Sequence, residues 1–218
     1  MEPYQDDHII LLDYLHYPHG GYGGDLKGFY NRPGKVPQLT WDKLSTYRTI
    51  RDNLKMPRLI DIMELAKNKI FLNLEIKDPR VDLVFPLVIK LVEKFNLFDQ
   101  ISISSFNHLY FKKVDEYNKI HKNKIVFGFV HHANRRKFFD YTKKGHTLNI
   151  FWTDVTKEVC DKAHKNGMAV IAWINFYKTE NTEMYEKLIK SGVDGIICNT
   201  PLLAKKVRDN YYLYKSNK

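Results

Sequence analysis

A short stretch of the chain, IFLNLEIKDP at residues 70–79, carries a carboxylate and an ammonium two positions apart. Side chains of a β-strand point alternately to its two faces, so Asn73, Glu75 and Lys77 share one face, opposite an aliphatic one. A buried carboxylate needs a metal ion, another cation or hydrogen-bond donors. The pattern therefore suggests Glu75 as a metal ligand and Lys77 as a contact for an anion beside that metal. The alternative is a purely structural Glu–Lys pair.

The elements that must position this pair alternate regularly from residue 70 onward. Apolar runs rich in Ile, Val and Phe predict strands, and the charged amphipathic stretches between them predict helices. Gly167 and Gly192 stand where helices should end, just before the next strand. Such alternation indicates parallel strands joined by helical crossovers. Six strands are expected, at residues 70–77, 100–106, 124–130, 147–152, 168–175 and 193–199.

The predicted strand ends favour a barrel over a doubly wound sheet. Barrels of the TIM (β/α)8 type build their sites from residues at the C-terminal ends of the strands. No glycine-rich phosphate loop follows any strand, so a nucleotide-binding sheet has no support. Polar or aromatic residues stand at the predicted strand ends: Glu75, Lys77, Ser105, Phe106, His131, Trp152, Asp154, Trp173, Asn175 and Asn199.

The N-terminal third has a different character. Residues 8–14 fit a strand, and residues 15–37 are so rich in Gly, Pro, Tyr and Asn that they predict a long loop or lid. A short helix is expected at 39–50, with Thr40 as its N-cap, and a better one at 57–68. No domain boundary is visible, so a single, partial domain over the whole chain is expected.

Composition limits the classes of partner. The chain has 218 residues, a formal net charge of +10 and two cysteines, Cys160 and Cys198, far apart in sequence. The positive charge suits phosphate esters, anionic membrane surfaces or nucleic acid, but no zinc-finger, RNA-binding or basic-zipper motif supports specific nucleic-acid binding. The cysteines indicate neither a disulfide framework nor a metal site. No apolar run reaches about 18 residues, so no transmembrane segment is expected.

Five segments, in order along the chain, resemble the glycerophosphodiester phosphodiesterase family. They are GKVPQLTWDKLSTY, PRLIDIMELAKNKIFLNLEIK, ISISSFN, AHKNGMAVIAWIN and SGVDGIICNTPLL. The resemblance implies a TIM barrel that cleaves glycerophosphodiesters to glycerol 3-phosphate and an alcohol. It also implies a divalent cation, Ca²⁺ or Mg²⁺, held by carboxylates, with histidines as general acid and base.

Carried onto this chain residue by residue, the resemblance makes Glu75 the metal ligand and Lys77 the catalytic phosphate contact. Trp173, Phe106 and Asn175 are the expected substrate-binding residues. The stretch IILLDY is similar to the family's Val-Val-x-His-Asp segment. In that stretch Asp13 matches the catalytic aspartate, whereas Leu12 replaces the second catalytic histidine.

The family motifs His-Arg-Gly and Glu-x-Asp, which supply one histidine and two metal carboxylates, do not occur in this sequence. We therefore expect a (β/α)8-type barrel that lacks its first two strands and is weak or inactive as this chain. The two edge strands would be left unpaired, which favours aggregation or strands supplied from elsewhere. Five histidines are candidates to replace the missing catalytic base: His8, His16, His19, His131 and His132. The alternative is that they are polar residues without a catalytic role.

Several hypotheses about function remain open. The first is a phosphodiesterase of the resembled family. The second is a non-catalytic, degenerate barrel that binds a phosphate ester or a protein partner. A nucleic-acid binder rests on charge alone, and contact with a membrane surface is a further expected interaction. Trp152 and Asp154 are expected to pack rather than to take part in chemistry. His164 is expected on the surface of an outer helix. Asp25 could approach a metal from the loop.

Overall fold

The structure, a computed structural model, describes residues 30–132, 145–175 and 178–216. These residues form two compact units. Unit 1 holds residues 30–103 and 107–125, and unit 2 holds residues 104–106 and the described residues from 126 onward. Several residues that the sequence singles out, and most of the predicted loop at 15–37, lie outside the described part: His8, Leu12, Asp13, His16, His19 and Asp25.

Unit 1 packs amphipathic helices beside two strands. The longest helix buries one apolar face, including Val84, Val88 and Leu91, and ends at Asn96, whose left-handed φ of 52° stops the helix. The elements of this unit are α1 (Trp41–Leu44), α2 (Leu59–Ala66), β1 (Leu72–Glu75), α3 (Val81–Phe95), the first part of β2 (Ile101–Ser105) and α4 (Leu109–Ile120).

The arm before α2 corrects the predicted helix at 39–50. That helix is only α1, and Thr40 occupies its N-cap position without a side-chain capping bond. The hydroxyls of Ser45 and Thr46 donate to main-chain carbonyls one turn back, at 3.0 and 2.7 Å, which competes with helix propagation. The chain instead closes a small core built from Val36, Leu44, Tyr47 and Met56.

Unit 2 contains a parallel sheet with helices between its strands. Register pairs include Gly128 with Thr147, Thr147 with Ala169, and Ile171 with Gly195. Gly128 must be glycine, because a Cβ there would lie 2.8 Å from Ser104 Cβ. The elements of this unit are the end of β2, β3 (Val126–Val130), β4 (Thr147–Phe151), α5 (Lys157–Lys165), β5 (Ala169–Trp173), α6 (Thr182–Ser191), β6 (Gly195–Ile197) and α7 (Pro201–Ser216).

The six strands fall inside the six predicted ranges, so the predicted α/β alternation is confirmed. Within each unit the strands are neighbours in chain order. Gly192 is the C-cap of α6 with φ of 94°, and Gly167 follows α5 with φ of 70°, as the sequence predicts. None of the helices in the described residues has the length and apolarity needed to cross a bilayer.

Candidate active site

The alternation predicted for β1 is present in unit 1. Leu74 and Ile76 are buried, at 5% and 8% exposure, whereas Asn73 belongs to the opposite face. Asn73 Oδ1 accepts a hydrogen bond from Ser102 Oγ of β2 at 2.9 Å. This polar link between two adjacent strands was not foreseen from the sequence, because cross-strand register cannot be read from either strand alone.

Glu75 and Lys77 form the predicted pair. Lys77 Nζ lies 3.6 Å from Glu75 Oε1, which is an ion pair but too long for a good hydrogen bond. The Glu75 side chain is 27% exposed, yet its Oε1 is buried and accepts no hydrogen bond from the described residues. A carboxylate oxygen in this state retains an unused capacity to bind a cation.

Burial acts on both members of the pair. It raises the pKa of Glu75, and the nearby Lys77 only partly opposes that rise. Burial likewise lowers the pKa of Lys77, and Glu75 partly opposes that fall. Glu75 is the more desolvated of the two, since its side chain is 27% exposed and that of Lys77 is 46% exposed. A cation beside Glu75 or an anion beside Lys77 would stabilise the ionised pair.

The turn after the pair is fixed by Asp78. Its Oδ1 accepts from the Arg80 main-chain N at 2.8 Å, and its Oδ2 accepts from an Arg80 guanidinium nitrogen at 2.8 Å. Tyr110 OH donates to the Asp78 carbonyl oxygen at 2.9 Å. This turn orients the chain immediately beyond Lys77. The sequence did contain a signal for it, since Asp followed by Pro and a main-chain donor two residues on is an Asx-turn pattern.

An aromatic cluster stands at strand ends in unit 2, made of Phe106, His132, Phe151 and Trp173. Phe106 stacks on His132 with ring centroids 4.1 Å apart and meets Trp173 edge-on at 5.8 Å. Phe151 lies 4.7 Å from Trp173. Two of the predicted substrate-binding residues, Phe106 and Trp173, are thus brought together from distant parts of the sequence.

His131 holds the indole of this cluster in place. Trp173 Nε1 donates to the His131 carbonyl oxygen at 3.1 Å, and His131 N donates to the Asn149 carbonyl oxygen at 2.9 Å. The His131 side chain is buried at 5% exposure, whereas His132 is exposed. Of the two candidate histidines, His132 is therefore the one whose ring solvent can reach.

Glu180 was not predicted as a site residue from the sequence, and it joins the segment before α6 to the residues that follow β6. Its carboxylate accepts from Tyr185 OH at 2.5 Å and from Thr200 Oγ1 at 2.6 Å. It also accepts from the main-chain N of Thr200 at 2.8 Å and from both the main-chain and side-chain nitrogens of Asn199, each at 2.8 Å. Burial alone would raise the pKa of Glu180, but these hydrogen bonds together lower it.

The remaining predicted residues of unit 2 have separate contacts. The Asn175 carbonyl oxygen accepts from Asn199 Nδ2 at 3.5 Å. Trp152 lies in a 3₁₀ turn after β4, with Lys178 Nζ 5.3 Å from its ring centroid. On α5, His164 Nε2 contacts Asp194 Oδ2 at 2.8 Å.

The described residues do not contain a complete metal site. No cluster of three or more His, Cys, Asp or Glu side chains suited to a metal occurs within residues 30–132, 145–175 and 178–216. Glu75, with its buried and unsatisfied oxygen, fits one ligand of such a site. A hard cation such as Ca²⁺ or Mg²⁺ requires several more oxygen atoms.

Comparison with known proteins gives consistent results. A relative from Caldanaerobacter subterraneus subsp. tengcongensis, named glycerophosphodiester phosphodiesterase, is 30% identical over 157 residues, which are 67% of this chain and 59% of that protein. Part of that relative is therefore not matched by this chain.

Solved structures share the fold. A phosphodiesterase of Oleispira antarctica, solved in complex with the product sn-glycerol-3-phosphate, matches with a TM-score of 0.70 at 15% identity over 87% of this chain and 78% of that one. A glycerophosphodiester phosphodiesterase from Agrobacterium tumefaciens matches with a TM-score of 0.60 at 16% identity, covering 85% and 78%. These likenesses confirm the predicted barrel-type α/β fold.

The family model for glycerophosphoryl diester phosphodiesterases matches residues 21–203. That range includes β1 with its Glu75–Lys77 pair, the aromatic cluster and the Glu180 network. The chain therefore belongs to the glycerophosphoryl diester phosphodiesterase family.

Proposed function

We propose that this chain supplies the metal-contacting and phosphate-contacting strand of a hydrolase that cleaves glycerophosphodiesters to glycerol 3-phosphate and an alcohol. The observation that carries the proposal is Glu75 Oε1, which is buried and accepts no hydrogen bond from the described residues, with Lys77 Nζ 3.6 Å away. A purely structural pair is expected to have better hydrogen bonding than this. Family members generally depend on a divalent metal.

Glu75 would provide one ligand to the metal, and a bound divalent cation would neutralise phosphate charge as it develops in the transition state. Lys77 would donate to a non-bridging phosphate oxygen and compensate the same charge. Because the Glu75 side chain is only 27% exposed, little water has to be displaced from it when a ligand binds. Asp13 is retained as a proposed catalytic residue.

In unit 2, Phe106 and Trp173 would contact the carbon skeleton of the substrate. Their edge-on packing and the hydrogen bond from Trp173 to the His131 carbonyl hold both rings in fixed orientations. Rigid aromatic faces give contact area at little cost in conformational entropy. Asn175, placed just beyond β5, would offer its amide to a hydroxyl group of the substrate.

A second candidate function is binding of a phosphate ester without turnover. It is favoured by the incomplete ligand set within the described residues, where Glu75 has no companion carboxylates arranged for a metal. In this case Lys77 would bind the phosphate, and no metal would be required.

Two measurements on the purified chain separate these functions. Release of glycerol 3-phosphate from glycerophosphocholine with added Ca²⁺ or Mg²⁺ would support the hydrolase, and we expect it to be slow. Binding of sn-glycerol 3-phosphate, followed by ³¹P NMR, without any turnover would support the binding module. The control Lys113→Met should change neither turnover nor binding. If Lys77→Met also leaves both unchanged, the proposed role of Lys77 is wrong.

A further inference from the structure

A tight β-hairpin runs from Arg48 to Lys55 in unit 1. These two residues pair as an antiparallel bridge, and Thr49 N donates to the Leu54 carbonyl oxygen at 2.9 Å. Leu54 N donates to Thr49 Oγ1 at 2.9 Å, and Asn53 adopts a left-handed φ of 53°. The hairpin is therefore ordered by its own hydrogen bonds and loses little conformational freedom when it binds a partner.

The tip of the hairpin exposes two large aliphatic side chains. Ile50 and Leu54 are each 60% exposed, whereas Tyr47 and Met56, at the two ends of the hairpin, are buried at 6% and 2%. The small core of unit 1 thus anchors the base of the hairpin while its tip faces water. A single exposed aliphatic residue needs no explanation, but two on one ordered turn indicate a contact surface.

Basic residues accompany these aliphatic side chains. Residues 30–57 contain six Lys and Arg against two Asp, so four of the ten net positive charges fall in this segment. The Arg51 side chain is 81% exposed, and its Nε lies 3.8 Å from Asp52 Oδ1. The Arg48 guanidinium donates to two main-chain carbonyl oxygens, at 2.9 and 2.8 Å, and these neutral acceptors leave its charge in place.

We propose that this hairpin binds the surface of an anionic lipid bilayer. Ile50 and Leu54 insert at the level of the headgroups, and the basic side chains contact lipid phosphates. Exposed aliphatic residues flanked by Lys and Arg suit a bilayer surface, where negatively charged headgroups cover the apolar acyl chains. Single-stranded nucleic acid fits less well, because its bases stack on aromatic side chains, which the tip lacks. The binding does not depend on the proposed hydrolase activity.

Vesicle co-sedimentation of the whole chain tests the proposal. We expect binding to phosphatidylcholine vesicles that contain about 30% phosphatidylglycerol, and at least about tenfold weaker binding to phosphatidylcholine alone. The double substitution Ile50→Ser, Leu54→Ser should weaken binding to the anionic vesicles about tenfold, since it removes the inserted apolar surface. Arg51→Gln with Lys55→Gln should weaken it by a similar factor.

Matched controls distinguish binding through the hairpin from nonspecific binding through other exposed apolar or basic residues. Ile120, at the end of α4, is 80% exposed, and Ile120→Ser should leave binding unchanged. Lys165→Gln with Lys187→Gln removes the same charge from unit 2 and should change the affinity less than about twofold. Equal binding by the Ile50→Ser, Leu54→Ser variant and the wild type would overturn the proposal. So would tighter binding to single-stranded RNA than to the anionic vesicles.

A fluorescence measurement gives an independent answer if the serine variant folds poorly. The emission of an Ile50→Trp variant should shift to the blue on anionic vesicles and stay unchanged on neutral ones, because only insertion removes the indole from water. An unchanged spectrum on both kinds of vesicle would contradict the proposed insertion.

Discussion

Two glutamates, one in each unit, differ in the hydrogen bonding of their carboxylates. Glu180 in unit 2 accepts hydrogen bonds from Tyr185, Asn199 and Thr200, at distances of 2.5 to 3.1 Å. Glu75 in unit 1 has an ion pair at 3.6 Å and a buried oxygen without a hydrogen bond from the described residues. Both residues lie near the C-terminal ends of strands, where barrels of this type carry their chemistry.

The pKa shifts of the two carboxyl groups follow from this difference. Hydrogen bonds lower the pKa of Glu180 against the effect of burial, whereas burial raises the pKa of Glu75 against the effect of Lys77. A carboxylate that accepts several hydrogen bonds from the protein stabilises the fold. A desolvated carboxylate with an oxygen that accepts none is suited to bind a ligand. The comparison supports a structural role for Glu180 and the proposed ligand-binding role for Glu75.

The largest expected effect is on stability at Glu180. Glu180→Ala leaves the donors of Tyr185, Asn199 and Thr200 without their acceptor, and we expect a loss of about 3 kcal/mol in the free energy of unfolding. Urea denaturation followed by circular dichroism measures this loss. The exposed control Glu64→Ala should change the free energy by less than about 0.5 kcal/mol. A loss at Glu180 no larger than that of the control would contradict its structural role.

A smaller effect is expected for cation binding at Glu75. Glu75→Gln keeps the size of the side chain but removes the charge that a hard cation requires. We expect Tb³⁺, used as a luminescent hard-cation probe, to bind at least about tenfold more weakly, which corresponds to about 1.4 kcal/mol. The free energy of unfolding should change by less than about 1 kcal/mol. Unchanged Tb³⁺ affinity would show that Glu75 is not a ligand.

The substitution Lys77→Met should act on the anion rather than on the cation. It keeps much of the aliphatic length but removes the ammonium, so we expect about fivefold weaker binding of sn-glycerol 3-phosphate. Titration calorimetry measures that change. The Tb³⁺ affinity should persist, and loss of both affinities together would indicate that Lys77 merely holds Glu75 in place.

The smallest expected effects are the opposite pH dependences of the two glutamates. Because the pKa of Glu180 is lowered by folding, its carboxylate stabilises the fold above the ordinary Glu pKa of about 4.3, and this contribution is lost as pH falls through the lowered pKa. Because the pKa of Glu75 is raised, stability should decline as pH rises from about 4.3 through the raised value.

Unfolding curves of the wild type, Glu75→Gln and Glu180→Gln between about pH 3 and 7 measure both dependences. The Glu75→Gln variant should lack the decline, and Glu180→Gln should approach the wild type at the acidic end. The same direction of change for both glutamates would refute the contrast between them.

The strands were predicted well because their signals are local. All six lie inside the predicted ranges. The strand β1 is shorter than its predicted range of 70–77, and Ile70 and Phe71, which precede it, are 59% and 60% exposed. The predicted helix at 39–50 was wrong beyond Leu44, because the Ser45 and Thr46 hydroxyls bond to the preceding turn. The small core of that arm has no regular period, so no pattern indicated it.

The sequence by itself determined the α/β alternation, the helix-ending glycines and the placement of Glu75 and Lys77 on one face of a strand. These follow from a period of two residues and from backbone preferences that act over a few positions. Tertiary structure alone decided which glutamate is satisfied and that Phe106 meets Trp173. Hydrogen-bond donors and ring partners come from segments far apart in the chain, and their approach depends on packing that no local pattern encodes.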